Sequence, residues 1–523
     1  MKTRLKIVAI LLLSTSLLIS GCLTYTTLIP PTSLVTEEPG PMNVLMNDGT
    51  IYKLEYARVL LTELQGHGEK YPIEGPKEYF SGNIPLSDIA IVQTVKPDKA
   101  GSLLAYGTIG ILALATLNAA GGSGNLSGSA QIHYPPSGSC PFVFSFDGAD
   151  YRFESETFAG AVCRGMERAN LEPLEYLRPV DGEYHLSLAN QLQESEHVNE
   201  ISLMAVDHPP GSRIVPECNG NVHTLRSRIP PSSATSYSGA DILSLVSDVD
   251  DKMWGSDFQG ADMDIARGLR DGIICEFDRP GDSATAKLLL ETKNTNLGYF
   301  AFEKLFSLEG PNRLTWYHQL NEDMAERKKL VDWIMREGTL QVFLMVEDKW
   351  VLQSALPPVG LRAMEERVVV IDLTHCRGDK IKIKLDCATD LWNIDALAID
   401  YSRDEPITIT RAELQEAITQ NGNDVASLIS KPDSSYYRML PGDYALLTYN
   451  EVPPSPGASR TYLLKTQGYY YAWTKSGETD DSELVQKILS EPQYGNRLFM
   501  PEWMKIRQQF ADIYNRPPTF DPK

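Results

Sequence analysis

The sequence predicts a mainly β protein: a small N-terminal β domain, followed by β-sandwich domains of jelly-roll type with helical insertions. Three observations lead there. Short apolar runs with a period of two recur along the chain, as in Phe142, Phe144 and Phe146, and alternate side chains of a strand share one face. Turn signals separate the runs, among them Asn47-Asp48-Gly49 and Asp147-Gly148. With 523 residues, 42% hydrophobic and 22% charged, the chain is globular in composition and too long for one ordinary core.

Residues 1–21 have a basic start (Lys2, Arg4, Lys6) and an apolar run from Ile7 to Ile19, the layout of a secretory signal and too short to span a bilayer. Residues 22–41, rich in Thr and Pro, read as an extended tether. Residues 42–100 carry the strand patterns Val44–Met46, Ile51–Leu54, Val59–Leu61 and Ile84–Val95 of the small β domain. Residues 101–139 hold a second apolar run, Ser102–Ala120, and a Gly/Ser linker. The run is long enough to span a membrane. However, Lys96 and Lys99 precede it and no Lys or Arg follows until Arg152, which would place an exported domain on the wrong side. A helix packed on protein or lying on the membrane is expected instead.

Residues 140–240 form a β domain opened by the hairpin around Asp147-Gly148, with later strands Tyr184–Leu188 and Ile201–Val206. Residues 241–402 read as a sandwich that follows an acidic stretch. Its strand patterns include Ile273–Phe277, Ala286–Thr292, Leu340–Val346, Val368–Leu373, Ile381–Leu385 and Ile394–Ile399, with an amphipathic helix between Asn321 and Arg336. In residues 403–523, Thr410 and Glu413 make a capping box predicting a helix toward Ile418. Strands Tyr444–Tyr449 and Thr461–Lys465 come next, then a polar helical tail from residue 482. One pattern occurs twice: Ile201, Met204 and Val206-Asp207 echo in Ile394, Leu397 and Ile399-Asp400, each after an alternating strand. Two related sandwiches would produce it.

Leu18-Ile19-Ser20-Gly21-Cys22 resembles the lipobox of bacterial lipoproteins. The resemblance implies that Cys22 is diacylated, with palmitate-like chains, and begins the mature protein. It further implies a bacterial cell envelope protein that meets the membrane through its N-terminal lipid. Leu23 lacks the aspartate that retains many such proteins at the inner membrane, which favours the outer one. Separately, Cys140–Gly148 (CPFVFSFDG), Arg178–Gly182 (RPVDG), Val206–Pro210 (VDHPP), Phe277–Pro280 (FDRP) and Arg460–Tyr470 (RTYLLKTQGYY) resemble a pattern in uncharacterised exported bacterial proteins. That resemblance covers residues 140 to about 473 and implies one architecture without an activity.

Charge narrows the function. The formal net charge is −21, and removing residues 1–21 takes away three basic residues and no acid. Nucleic acid is therefore an unsuitable partner. A noncatalytic binding or scaffolding role, with an envelope protein or a glycan as partner, is the leading expectation. The alternative of a glycan-binding sandwich rests on Tyr469, Tyr471 and Trp473, whose spacing of two puts three rings on one face. A hydrolase would use Glu194, Glu196 and His197, with Asp207-His208 nearby, as general acid and base. No nucleophile elbow, phosphate-binding glycine loop or His-Glu-x-x-His motif accompanies them, so no cofactor is expected. His208, Cys218 and His223 are zinc-ligand types without zinc-finger spacing. The aspartates 248, 250, 251, 257, 262 and 264 fail the EF-hand pattern, since Met253 and Gln259 stand where Gly and Glu are needed. Neither set predicts a metal. Cys376 and Cys387 flank Arg377-Gly378-Asp379 and are the one locally suggested disulfide.

Overall fold

The computed structural model describes residues 24–29, 40–46, 50–60, 62–72, 76–97, 141–256, 269–281, 283–473, 480–514 and 518–522. Cys22, the run Ser102–Ala120 and Asp257, Asp262 and Asp264 lie outside them. The fold is mainly β and divides into two compact units.

The smaller unit contains an antiparallel six-stranded sheet in the order Thr24–Ile29, Ile89–Pro97, Gly40–Met46, Ile51–Val59, Glu63–Tyr71, Glu78–Pro85. Met42, Val44, Leu54, Ala57, Leu64, Ile84, Ile89 and Val92 form its core. The expected tether is partly strand: Thr24–Ile29, rich in β-branched residues, pairs along Ile89–Pro97.

The larger unit holds two sandwiches. In the first, a five-stranded sheet (Leu414–Thr419, Tyr444–Asn450, Glu183–Ala189, Phe142–Phe146, Tyr151–Glu156) backs onto another, ordered Thr408–Arg411, Glu194–His208, Ser459–Ala472, Arg168–Leu174, with the short strand Tyr437–Met439 added along Glu194–His208. Between the layers the Tyr449 hydroxyl donates to the Ile201 carbonyl at 3.2 Å, and Tyr184 meets Tyr462 edge-on. The second sandwich has a five-stranded sheet (Ser233–Ser236, Arg270–Asp278, Lys380–Ala388, Leu340–Val346, Lys349–Leu356) and a three-stranded one (Glu365–Asp372, Thr285–Asn294, Trp392–Asp400).

The echo in the sequence is a repeat in space, with exchanged partners. Residues 142–156 and 341–355 form the same hairpin, each with one extra residue on the second strand, Glu154 or Gln353. Both extra side chains accept backbone N–H groups at the end of the next strand: Glu154 from Glu175 and Tyr176, Gln353 from Asp372. Farther on, Asp241 and Asp424 each accept the N–H two residues ahead (3.0 and 2.9 Å) at the start of the short helices Leu243–Val246 and Ala426–Ile429. Each repeat thus has a leading half, 142–208 or 340–400, and a trailing half, 229–294 or 408–472. The leading half of each repeat closes against the trailing half of the other.

The ribbon Arg213–Pro216/Val222–Leu225 lies between the sandwiches. Ile214 and Val222 face the first (Val206, Leu463), while Val215 and Leu225 face the second (Leu289, Val368, Ala398), as a strand's alternation requires. Buried ions reinforce this junction. Arg367 donates to both carboxylate oxygens of Glu172 at 2.6 Å and to Glu365 at 2.7 Å. Glu156 accepts the N–H groups of Leu361 and Arg362.

Three expectations are corrected. Thr410 and Glu413 open no helix: Thr408–Arg411 and Leu414–Thr419 are strands, because pairing with Glu194–His208 and Tyr444–Asn450 overrides the local capping pattern. Cys376 and Cys387 form no disulfide. Both are free, since Cys376 precedes the strand Lys380–Ala388 and Cys387 sits near its far end, about 20 Å along. The C-terminal tail is not merely polar. Helix Tyr494–Tyr514 buries Phe499, Met500 and Trp503, and the Trp503 indole donates to Asp390 at 2.6 Å. The expected helix between Asn321 and Arg336 is present as Met324–Trp333, capped by Asp323. No helix among the described residues is long and apolar enough to cross a membrane.

Candidate functional site

The strand Ser459–Ala472 runs between Glu194–His208 and Arg168–Leu174, so it is an inner strand of its sheet. Both its faces are covered near its end. Tyr469, Tyr471 and Trp473 are 1%, 3% and 7% exposed, and Tyr470 between them is buried too. The spacing of two does bring Tyr469 and Tyr471 together, edge to face at 5.5 Å, but all three rings are interior, so the expected glycan platform is not formed. Sequence alternation says which residues share a face and not whether the face is covered.

The row packs on His197. Its ring lies parallel to Tyr469 (centroids 4.5 Å apart, planes within 2°), with Tyr471 and Tyr436 edge-on at 5.7 and 6.2 Å. Burial, helped by the charges of Arg438 and Arg164, pushes His197 down to about 3, so the imidazole is neutral at ordinary pH. Asn321 donates to the Tyr471 hydroxyl at 3.0 Å and accepts from the Gly165 N–H. The Tyr436 hydroxyl donates to Glu167, which also accepts from Asn199 and Gln467. Gly468 makes the packing possible: a Cβ there would lie 2.4 Å from the His197 carbonyl and 2.7 Å from the Phe158 ring.

The proposed acid and base do not converge. Glu194, Glu196 and His197 belong to the strand Glu194–His208 rather than to a loop, and all three are buried. Adjacent strand residues point to opposite faces, so His197 turns away from Glu196. Asp207 is held by Arg460 (2.7 Å) and the Ser455 N–H, and these partners draw its carboxyl down to about 2. The zinc-type residues stay apart as well. His208 has Ser212 and Thr461 against its two ring nitrogens, and Cys218 is exposed.

The second histidine reveals a constellation hidden in the sequence. His223 lies 2.8 Å from Asp404 through Nδ1 and 2.8 Å from Glu217 through Nε2. Asp404 also meets the buried Lys287 ammonium at 3.2 Å. Carboxylate, imidazole, carboxylate and ammonium alternate, bracing the ribbon against the segment that leaves the second sandwich. With both ring nitrogens engaged, this imidazole is a brace and not a general base. Its members lie up to 187 positions apart, so local spacing carried no sign of it.

The two sheets that carry the repeated hairpins differ on their outer faces. On the first, Phe142, Phe144, Tyr151, Phe153 and Tyr444 pack together with Phe520 from the C-terminal segment. On the second, the outer row is Ile274, Lys384, Phe343 and Leu352, flanked by Met345 and Trp350. Leu352 is 53% exposed there, and the Lys384 ammonium sits 4.1 Å from the Phe343 ring centre and 5.3 Å from that of Trp350. This face is the candidate binding surface.

No family model and no curated protein matches the chain. Among solved structures, the GH31 alpha-xylosidase from Xanthomonas citri aligns at 9% identity over 82% of this chain and 38% of its own, with a TM-score of 0.16. The chain thus spans well under half of that enzyme. A structure of the infectious bursal disease virus Gx strain aligns at 8% identity over 94% and 90%, with a TM-score of 0.15. Likenesses at such scores carry no argument about activity.

Proposed function

We propose that this chain is a lipid-anchored bacterial envelope protein with a noncatalytic binding or scaffolding role, attached through Cys22 and facing the periplasm or the cell surface. The observation carrying the binding role is a contrast. The acid, imidazole and phenol groups that promised chemistry are locked into packing, whereas a sheet face with Phe343, Trp350 and exposed Leu352 is left outside. The lipobox-like stretch supports the anchor. So does Thr24, two positions after Cys22, which already starts a strand and would hold the small sheet close to an acylated cysteine. Leu23 favours the outer membrane as the destination.

Metabolic labelling with an alkyne fatty acid in a bacterial host, followed by fractionation, tests the anchor. The intact chain should carry label and sediment with membranes, and Cys22→Ala should lose both. An unlabelled intact chain, or one still starting at Met1, would overturn the reading.

A further inference from the structure

We infer that the outer face of the second sandwich's five-stranded sheet docks an extended segment of a partner protein in which an aromatic residue is followed by a carboxylate. This deepens the binding role proposed above and does not require the lipid.

The internal repeat supplies the argument. The shared bulge fixes the equivalence residue by residue: Phe144 matches Phe343, Phe146 matches Met345, Tyr151 matches Trp350 and Phe153 matches Leu352. In the first sandwich this apolar face is occupied. Phe520 stacks on Phe144 (5.3 Å) and meets Tyr151 and Tyr444 edge-on (5.4 and 5.2 Å), while Gln191 holds the Thr519 carbonyl at 2.9 Å. The occupant is an extended segment whose aromatic residue precedes Asp521. On the second sandwich no described ring stacks on Phe343 or Trp350, and Leu352 is exposed.

One substitution between the repeats tells what the second occupant must carry. Phe144 pairs across the sheet with Ser187, whereas Phe343 pairs with Lys384. Lys380 and Lys382 are matched by Glu276 and Asp278 at 3.5–3.9 Å. Among the described residues no carboxylate lies within ion-pair distance of Lys384, whose ammonium rests over the two rings instead. An arriving aromatic side chain would meet Leu352 and the edges of the two rings, and a carboxylate beside it would meet Lys384. A sugar fits less well, because the ammonium occupies the ring faces and the remaining surface is aliphatic.

The test uses the full-length protein and a fluorescent peptide with the chain's own residues 517–522 (PPTFDP) as probe, read by anisotropy. Saturable binding is expected. Leu352→Asp and Lys384→Glu should each weaken it at least tenfold while the protein still unfolds in one cooperative transition, since both side chains lie on the outer face and not between the sheets. Changing Phe to Ala or Asp to Lys in the probe should weaken it similarly. Equal binding by either protein variant, or by the Asp-to-Lys probe, would overturn the inference. So would binding that is governed by Phe520→Ala and not by Leu352→Asp, which would place the probe on the first sandwich. A chain that dimerises through its own tails, becoming monomeric with Phe520→Ala, would identify the occupant as a second copy and overturn the partner assignment. Fatty-acid labelling without peptide binding would sink this inference and leave the anchor standing.

Discussion

Arg367 and Glu172 form an ion pair between strands of different sandwiches, with Nη2 of the guanidinium 2.6 Å from each carboxylate oxygen, and both are almost wholly buried. Glu365 shares the same guanidinium, and burial together with the charge of Glu172 raises its carboxyl pKa. Removing the cation leaves two carboxylates in a dry junction. Arg367→Met should therefore cost about 3–5 kcal/mol in urea unfolding. Replacing Glu172, Glu365 and Arg367 together by apolar residues should recover most of that loss. A single variant that unfolds like the wild type would show the junction to be wet.

Gly468→Ala tests the aromatic interior. The added methyl has no room beside the His197 carbonyl and the Phe158 ring, so a loss of about 3 kcal/mol is expected in the same measurement. The far smaller effect of an ordinary strand Gly→Ala change would mean that the His197–Tyr469 stack is loose.

The buried carboxyls and the buried imidazole pull stability in opposite directions, and because the carboxyls outnumber the imidazole, stability should fall from about pH 4 toward neutrality. Burial raises Glu154 and Glu291 to about 7, with the charge of Glu366 adding to the rise at Glu291, and burial raises Asp390 to about 6. Between their ordinary range near 4 and these values the folded chain holds protons that the unfolded chain has released, so stability falls as pH rises through that window. His197 acts in the opposite sense. Lowered to about 3, it stays neutral where the unfolded imidazole takes up a proton, and stability falls as pH drops below about 6.5. Glu291→Gln should flatten the fall of melting temperature between about pH 4 and 7, and His197→Phe should steepen it. Unchanged slopes would refute the assignment.

One carboxylate, Asp390, latches two side chains of the C-terminal helix. Trp503 donates to Asp390, and Arg507 pairs with the same carboxylate at 3.1 Å. Trp503→Phe keeps the ring but removes the donor, for an expected cost of about 1–3 kcal/mol. Limited proteolysis should then cut within residues 494–514 sooner, and an unchanged cleavage rate would show that the latch lies elsewhere.

Much of the fold was legible because strand alternation is local. Phe142, Phe144 and Phe146 announced their hairpin, and Val206-Asp207 with Ile399-Asp400 announced the second sandwich. What alternation leaves open is the partner of each strand. Tyr469, Tyr471 and Trp473 read as a platform because nothing nearby says that their strand is flanked on both sides. Cys376 and Cys387 read as a pair because a turn lies between them, although the preceding strand belongs to another sheet. The Glu217–His223–Asp404–Lys287 row and the Arg367–Glu172 pair exist only once distant segments meet.

The exchange of halves between the repeats bears on how the molecule is made. Residues 142–208 leave the ribosome about 200 residues before the strands that complete their sandwich, and the nearer trailing half, 229–294, offers a decoy with the same pairing pattern. Synthesis in strict order would favour that decoy. A chain that crosses a membrane before it folds presents all four halves at once, so the native pairing is best reached by a polypeptide held back by chaperones until its last strand has emerged.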